Sequence, residues 1–300
     1  MQNNLTNRLT SRDDRIFGLI LNVVMTACAL LVLYPLIFIV SASFSSPAAV
    51  STGKVILWPV DFSLEGYRAV FKDPNILTGY RNTLLYTGAG TLINVTLTFI
   101  TAYALARPSL PLKGLIMFLF TFTMLFNGGM MPTYVLMRNL KLVNKVWAML
   151  LPGAIAAYNM IITRTFLQSS IPHELLEASQ IDGCSDFRYL GYVVLPLSKA
   201  VLAVITLYYA VGHWNAYFDA FLYLSRRELF PLQIILRDIL IANTIDPAAL
   251  VDPDLMTIKQ GMADLLKYSL IVVSSAPILC LYPLVQRYFI QGVMIGSIKG

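Results

Sequence analysis

The chain has 300 residues, 57% of them hydrophobic and 13% charged, and its mean hydropathy is +0.68. A soluble domain carries about 25% charged residues, so too little charge remains here to solvate a globular surface, and a membrane protein is the expected class. The net charge of +6 comes from basic residues spaced singly or in pairs between apolar runs, which excludes the clustered basic patch of a nucleic-acid surface.

The first segment, 1–15, carries Arg8, Arg12 and Arg15 and is expected on the cytoplasmic side by the positive-inside rule. Ile16 to Val40 follows without a charged residue over 25 positions, too long for the apolar core of a cleaved signal. Further charge-free runs are Leu84–Ala106, Gly114–Leu136, Val146–Thr163, Ala200–Phe218 and Tyr268–Val285. About 20 apolar residues at 1.5 Å rise cross a bilayer core. About six membrane helices are therefore predicted, in an all-α polytopic membrane domain over 16–290 with a cytoplasmic tail at 291–300. Both termini then lie in the cytoplasm. The segments 41–82 and 213–267 become external loops, with short helices expected at LEGYRAVF (64–71) and FPLQIILRDIL (230–240). The loop 213–267 holds five Arg and Lys residues, which the positive-inside rule tolerates only because the loop is long.

Cys28, Cys184 and Cys280 have no metal-ligand or disulfide spacing, and His173 and His213 fall on opposite predicted membrane faces. No metal site and no catalytic group is expected.

Between the fourth and fifth spans lies a polar stretch, 171–197: IPHELLEASQIDGCSDFRYLGYVVLPL. Pro172 suits a first helical position, with Ser169 or Ser170 as the cap. Glu174 follows in the first turn, where the helix dipole favours an acid. Gly183 ends the helix in the left-handed conformation, and Ser185 starts a second short helix through Phe187, Arg188 and Tyr189. Pro196 precedes the next span. Two short helices joined at a glycine are predicted along the membrane face, with Leu175, Leu176, Ala178 and Ile181 as apolar contacts whose directions the spacing leaves open.

The residue order Glu177-Ala178-Ser179, three residues, Gly183, nine residues, Val193, one residue, Leu195-Pro196 resembles the EAA loop of binding-protein-dependent ABC importer permeases. Ser179 replaces the usual second Ala, and Asp182 before Gly183 matches the form seen in sugar permeases. NGGMMPTYVLMRNL (127–140), LPGAIAAYNMIITRTF (151–166), YAVGHWNAYFDAFLYL (209–224) and YPLVQRYFIQGVMIGSIKG (282–300) extend the resemblance to the MalG-like carbohydrate branch, most similar to its polysaccharide and lipo-oligosaccharide permeases.

The resemblance implies a multi-pass subunit of the bacterial cytoplasmic (inner) membrane, in contact with membrane lipid. It implies four kinds of partner: a second homologous permease in a heterodimer, an ABC ATPase dimer, an extracytoplasmic sugar-binding protein and an oligosaccharide cargo. No cofactor is implied, because ATP is used by the separate subunit, and the chain itself has no P-loop. Glu177, Ala178, Ser179, Asp182, Gly183, Leu195 and Pro196 would form the ATPase-coupling element.

Polar residues in spans are costly and often functional. Asn127, Asn159, Trp214, Asn215 and Tyr217, with Asn94 and His213 beside them, are the substrate-path candidates, against the competing role of interhelical hydrogen bonding. The alternative reading is a multispan membrane enzyme such as a lipid-linked glycosyl transferase, which would need paired acids or a metal cluster at one face. Asp246, Asp252 and Asp254 are scattered around Pro247 and Pro253 and do not form such a pair.

Overall fold

The computed structural model describes residues 12–242 and 259–280. The expectations placed on 1–11, on Asp246, Asp252 and Asp254, and on the chain beyond Cys280, including the end of the sixth span and the tail 291–300, lie outside the described residues. Helix is the regular structure throughout those residues. In chain order the helices are α1 (Arg12–Ser43), α2 (Pro47–Ser51), α3 (Glu65–Phe71), α4 (Asn75–Ala106), α5 (Lys113–Leu125), α6 (Met130–Asn139), α7 (Trp147–Leu150) and α8 (Ala157–Ser170). They continue as α9 (His173–Ile181), α10 (Asp186–Tyr189), α11 (Leu195–Leu197), α12 (Lys199–Trp214), α13 (Tyr217–Tyr223), α14 (Leu232–Ala242) and α15 (Lys259–Cys280).

Among the described residues, α1, α4 and α15 are each long and apolar enough to cross a membrane unbroken. Two bent pairs raise the number to five if each is one span. The expected third span is one of them. It breaks between α5 and α6 with a 117° bend. Gly129 there has φ +86°, and the Asn127 Oδ1 accepts from the Gly129 N–H at 2.9 Å, a side-chain turn that competes with the helix ladder. The expected fourth span, Val146–Thr163, is not a single helix. It is the one-turn α7, a break through Pro152 and Gly153 (φ +66°), and then α8. Proline cannot donate to the ladder, and glycine takes the left-handed conformation that ends it. The fifth stops at Trp214, short of Phe218, and the sixth is already helical at Lys259, where the described residues resume.

The described residues form two compact units. One comprises those up to Asp73 with Leu240–Val273. Its core is Ala42, Ala49 and Val55, with Phe38 and Tyr268 packed edge to face at 5.5 Å. The loop helix expected at 64–71 is α3, and its Tyr67 hydroxyl shares a 2.8 Å hydrogen bond with Ser43. Most of α1 exposes its apolar side chains, as a lipid-facing helix does.

The other unit is built on α4, which packs against α8 and α12. One face of α4 carries Thr83, Thr87, Thr91, Asn94 and Thr98, all buried at helical spacing. Thr83 Oγ1 accepts from the Leu232 N–H at 2.8 Å, and Thr98 shares a 2.7 Å hydrogen bond with the Tyr209 hydroxyl. Gly90 sits where a Cβ would collide with the His213 ring, so the His213 side chain of α12 rests directly on the α4 backbone. The apolar helix expected at 230–240 is α14; Leu232 and Ile235 seat on Gly79 of α4.

Candidate functional site

The polar stretch folds as the two-helix hairpin its residues predict. Leaving α8, the chain is extended at Ile171 (φ −109°, ψ 109°) and Pro172 (φ −59°, ψ 142°). The start of α9 corrects one detail. Pro172 occupies the cap position, one residue before the helix, and no side chain caps α9. Ser170 is the last residue of α8, and Ser169 Oγ donates back to the Phe166 carbonyl.

The far end of α9 is a Schellman turn. Gly183 has φ +68°, its N–H donates to the Gln180 carbonyl at 3.1 Å, and the Cys184 N–H donates to the Ser179 carbonyl at 2.9 Å. The Ser179 and Gln180 carbonyls are satisfied by the backbone, so the turn is closed by the chain's own main-chain hydrogen bonds. Ser179 Oγ donates to the Leu176 carbonyl at 2.7 Å, a bond the usual alanine could not make. Ser185 caps α10 as expected, accepting from the Arg188 N–H.

The second arm is longer than four residues. A π-helical turn, Leu190–Val194, joins α10 to α11. Pro196 can neither donate to the carbonyl four residues back nor pass it without widening the helix, which accounts for the π register. The arm then meets α12 at 81°, a bend held by Ser198 Oγ donating to the Val194 carbonyl at 2.7 Å.

Burial divides the apolar residues that the spacing could not. Leu176, Tyr189 and Val194 join Phe99, Ala102 and Leu105 of α4 and Met160 and Leu167 of α8 in one core. Leu175 is exposed, and Ile181 and Phe187 are 86% and 89% exposed. Glu177 and Asp182 are exposed too, and Glu177 lies 3.7 Å from His173 one turn back. The hairpin thus has one face seated on the bundle and one face, acidic and apolar, turned away from it.

Residues outside the motif hold its base. Arg107, the cap of α4, pairs with Asp186, and its guanidinium lies over the rings of Tyr103 and Tyr189 at 5.1 and 5.6 Å. Arg164 Nε donates to the Leu105 carbonyl at 3.0 Å, one of the last carbonyls of α4. Two clefts open here, about 270 and 600 Å³, both lined by Tyr103, Arg107, His173 and Leu176. In the sequence Arg107 appears only as the charge ending a span.

The substrate-path candidates do not converge. Trp214 is buried, and its Nε1 donates to the Ser274 carbonyl at 2.9 Å. Asn215 Nδ2 donates to the Val211 carbonyl within its own helix end, and Tyr217 stacks with Phe221 under Arg237. Asn127 lies at the α5–α6 break, bonded to the Gly129 N–H, and Asn159 is buried on α8. Asn94 and His213 do meet, at 3.4 Å, with Asn94 Nδ2 also donating to the Gly153 carbonyl. None of the five lines either cleft at the hairpin base. Tyr209, unmarked in the sequence, accepts from the Ala156 N–H at 3.0 Å and so fixes the start of α8.

An all-helical chain with several membrane-length helices and an amphipathic hairpin at the bundle's edge is a polytopic membrane protein. No protein-family model matches the chain. It is 37% identical over 290 residues to the polygalacturonan/rhamnogalacturonan transport system permease protein YtcP of Bacillus subtilis (strain 168), covering 96% of this chain and 99% of that one. It is 35% identical over 290 residues to protein LplC of the same strain, covering 97% of each. Its fold matches a bacterial ABC transporter involved in the import of the acidic polysaccharide alginate, with a TM-score of 0.83, 37% identity, and coverage of 94% of this chain and 99% of that one. The chain belongs to the permease family of carbohydrate ABC importers. Its relatives are transport permeases, and the glycosyl transferase alternative finds no support among them. Membership implies in general terms a partner permease, an ATPase and a substrate-binding protein.

Proposed function

We propose that this chain forms half of the translocation pathway of an oligosaccharide importer in the bacterial cytoplasmic membrane. Its membrane domain is 16–290, and its termini and hairpin face the cytoplasm. It pairs with a non-identical permease, receives cargo from an extracytoplasmic binding protein, and docks its hairpin, 171–197, on one subunit of an ATPase dimer. Glu177, Ala178, Ser179, Asp182, Gly183, Leu195 and Pro196 belong to that coupling element.

The observation that carries this reading is the two-faced hairpin. Leu176 is buried against α4 and α8, while Glu177, Ile181 and Phe187 face away, held by a turn closed through its own backbone. An exposed apolar patch beside a carboxylate suits a docking protein that offers an apolar cleft with a basic rim. A rigid two-helix lever passes on motion that a floppy loop would dissipate. Alternating access then follows from ATP-driven closure of the partner, which biases a two-state bundle. The relatives named for polygalacturonan and alginate support an acidic oligosaccharide as the first cargo to examine.

The test is reconstitution of the permease pair with its ATPase and binding protein in proteoliposomes. Uptake of labelled oligogalacturonates and alginate oligosaccharides is measured beside neutral maltooligosaccharides. ATP-dependent uptake of any of these supports the importer reading, and acidic over neutral uptake supports the cargo class. An assembled complex that hydrolyses ATP and moves none of them overturns the proposal.

A further inference from the structure

The hairpin touches the bundle in two chemically different ways. Leu176 rests in an apolar core, a contact without direction that permits sliding. Arg107 is different. Its side chain is 15% exposed, held between the rings of Tyr103 and Tyr189, while its N–H edge reaches Asp186 in the first turn of α10. A planar guanidinium can stack on aromatic faces and still present a rigid fork to a carboxylate; a lysine cannot do both. Meanwhile the covalent route from α8 to α9 runs through two extended residues, Ile171 and Pro172, which break the helix ladder and so transmit torque poorly.

Resting on the reading of the hairpin as the coupling element, we propose that Arg107 is the positioning residue through which hairpin displacement reaches α4. Asp186 and Tyr189 are its grip on the hairpin, and Tyr103 is its grip on α4. The helix it caps packs against both α8 and α12, so a pull at its C-terminal end is passed to the two helices that flank it.

The test uses the complete importer in proteoliposomes and reads the ratio of ATP hydrolysis with and without binding protein. Membrane level and ATPase copurification are the controls for assembly. Arg107→Gln lowers the ratio about 5-fold or more, the size of a typical coupling between sites, while the ATPase still copurifies. Asp186→Asn, at a side chain 73% exposed and safe for folding, lowers it in the same direction, and Asp186→Glu restores most of it. The double variant Arg107→Gln/Asp186→Asn is no worse than Arg107→Gln alone, because both remove one link.

A normal ratio in Asp186→Asn and Arg107→Gln overturns the proposal, as do additive losses in the double variant. If Arg107→Gln fails to assemble, Asp186→Asn decides alone. If Gly183→Val and Glu177→Lys uncouple while the Arg107 and Asp186 variants do not, this proposal falls and the coupling role of the hairpin stands. If none of the four uncouples, the coupling role falls and this proposal with it.

Discussion

Gly183 illustrates how much one backbone angle decides. Its φ of +68° lies where a side chain costs roughly 1–2 kcal/mol, yet a Cβ there would meet nothing within 4 Å. The penalty is therefore conformational rather than steric, and it should depend on the substituent. Gly183→Val is expected to lower binding-protein-stimulated ATP hydrolysis and uptake while leaving membrane insertion intact. Gly183→Asn, which tolerates the left-handed region, should retain most of both. Equal effects of the two variants on stimulated hydrolysis would contradict this. Glu177 tests the exposed face. Glu177→Lys reverses a charge that seats nothing in the bundle, so its expected effect is weaker copurification of the ATPase at unchanged permease level. The loss should ease as salt is raised, because the new repulsion is screened.

Among the elements, the hairpin was legible from sequence because its stop signals are local: Gly183 and Ser185 each act within one turn. The short helices α3 and α14 were legible for the same reason, through compact runs between turn residues. The breaks in the third and fourth spans were not. A count of apolar residues sums over composition, and Asn127-Gly128-Gly129 or Pro152-Gly153 scarcely alters that sum while ending a helix outright. The polar candidates are not resolved by sequence for a related reason, since an Asn or Trp in a span serves a neighbouring helix as readily as a cargo. Trp214 is the clearest instance. With its ring buried and its Nε1 on the Ser274 carbonyl, Trp214→Ala should destabilise the purified complex by about 3–5 kcal/mol, seen as a lower melting temperature. Unchanged melting with lost uptake would return Trp214 to the cargo path. Tyr209→Phe removes the hydroxyl that joins Thr98 to the start of α8. It should cost about 1–3 kcal/mol by leaving buried groups unpaired, measured in the same melting experiment.

At the scale of the whole molecule, the proposed topology sets direction across the bilayer. Drawn from Arg8, Arg12 and Arg15, it has the N-terminus inside and predicts the hairpin inside as well. Cys184 offers a direct measurement, being partly exposed beside Gly183. In a Cys28→Ala/Cys280→Ala background, a membrane-impermeant maleimide should label Cys184 in inside-out vesicles and not in sealed cells. Labelling in sealed cells would invert the topology and remove the hairpin from the ATPase side. The charge pattern alone was a weak guide, because Arg226, Arg227 and Arg237 lie on the segments assigned to the outside. Neighbour contacts give some of them local roles: Arg226 donates to the Asn144 carbonyl, and Arg237 lies over the rings of Tyr217 and Phe221.

The nine residues of α9 carry a consequence for how such a chain can change over time. Removing one residue between Leu176 and Gly183 would turn everything beyond it by about 100° and draw it back about 1.5 Å. Leu176 could keep its seat, but Asp186 would swing away from Arg107, and the outward face would point elsewhere. Substitution at an exposed site such as Gln180 disturbs none of this. Insertions and deletions in the hairpin should therefore be lost from viable lineages even where point changes persist, leaving a segment constant in length and loose in spelling.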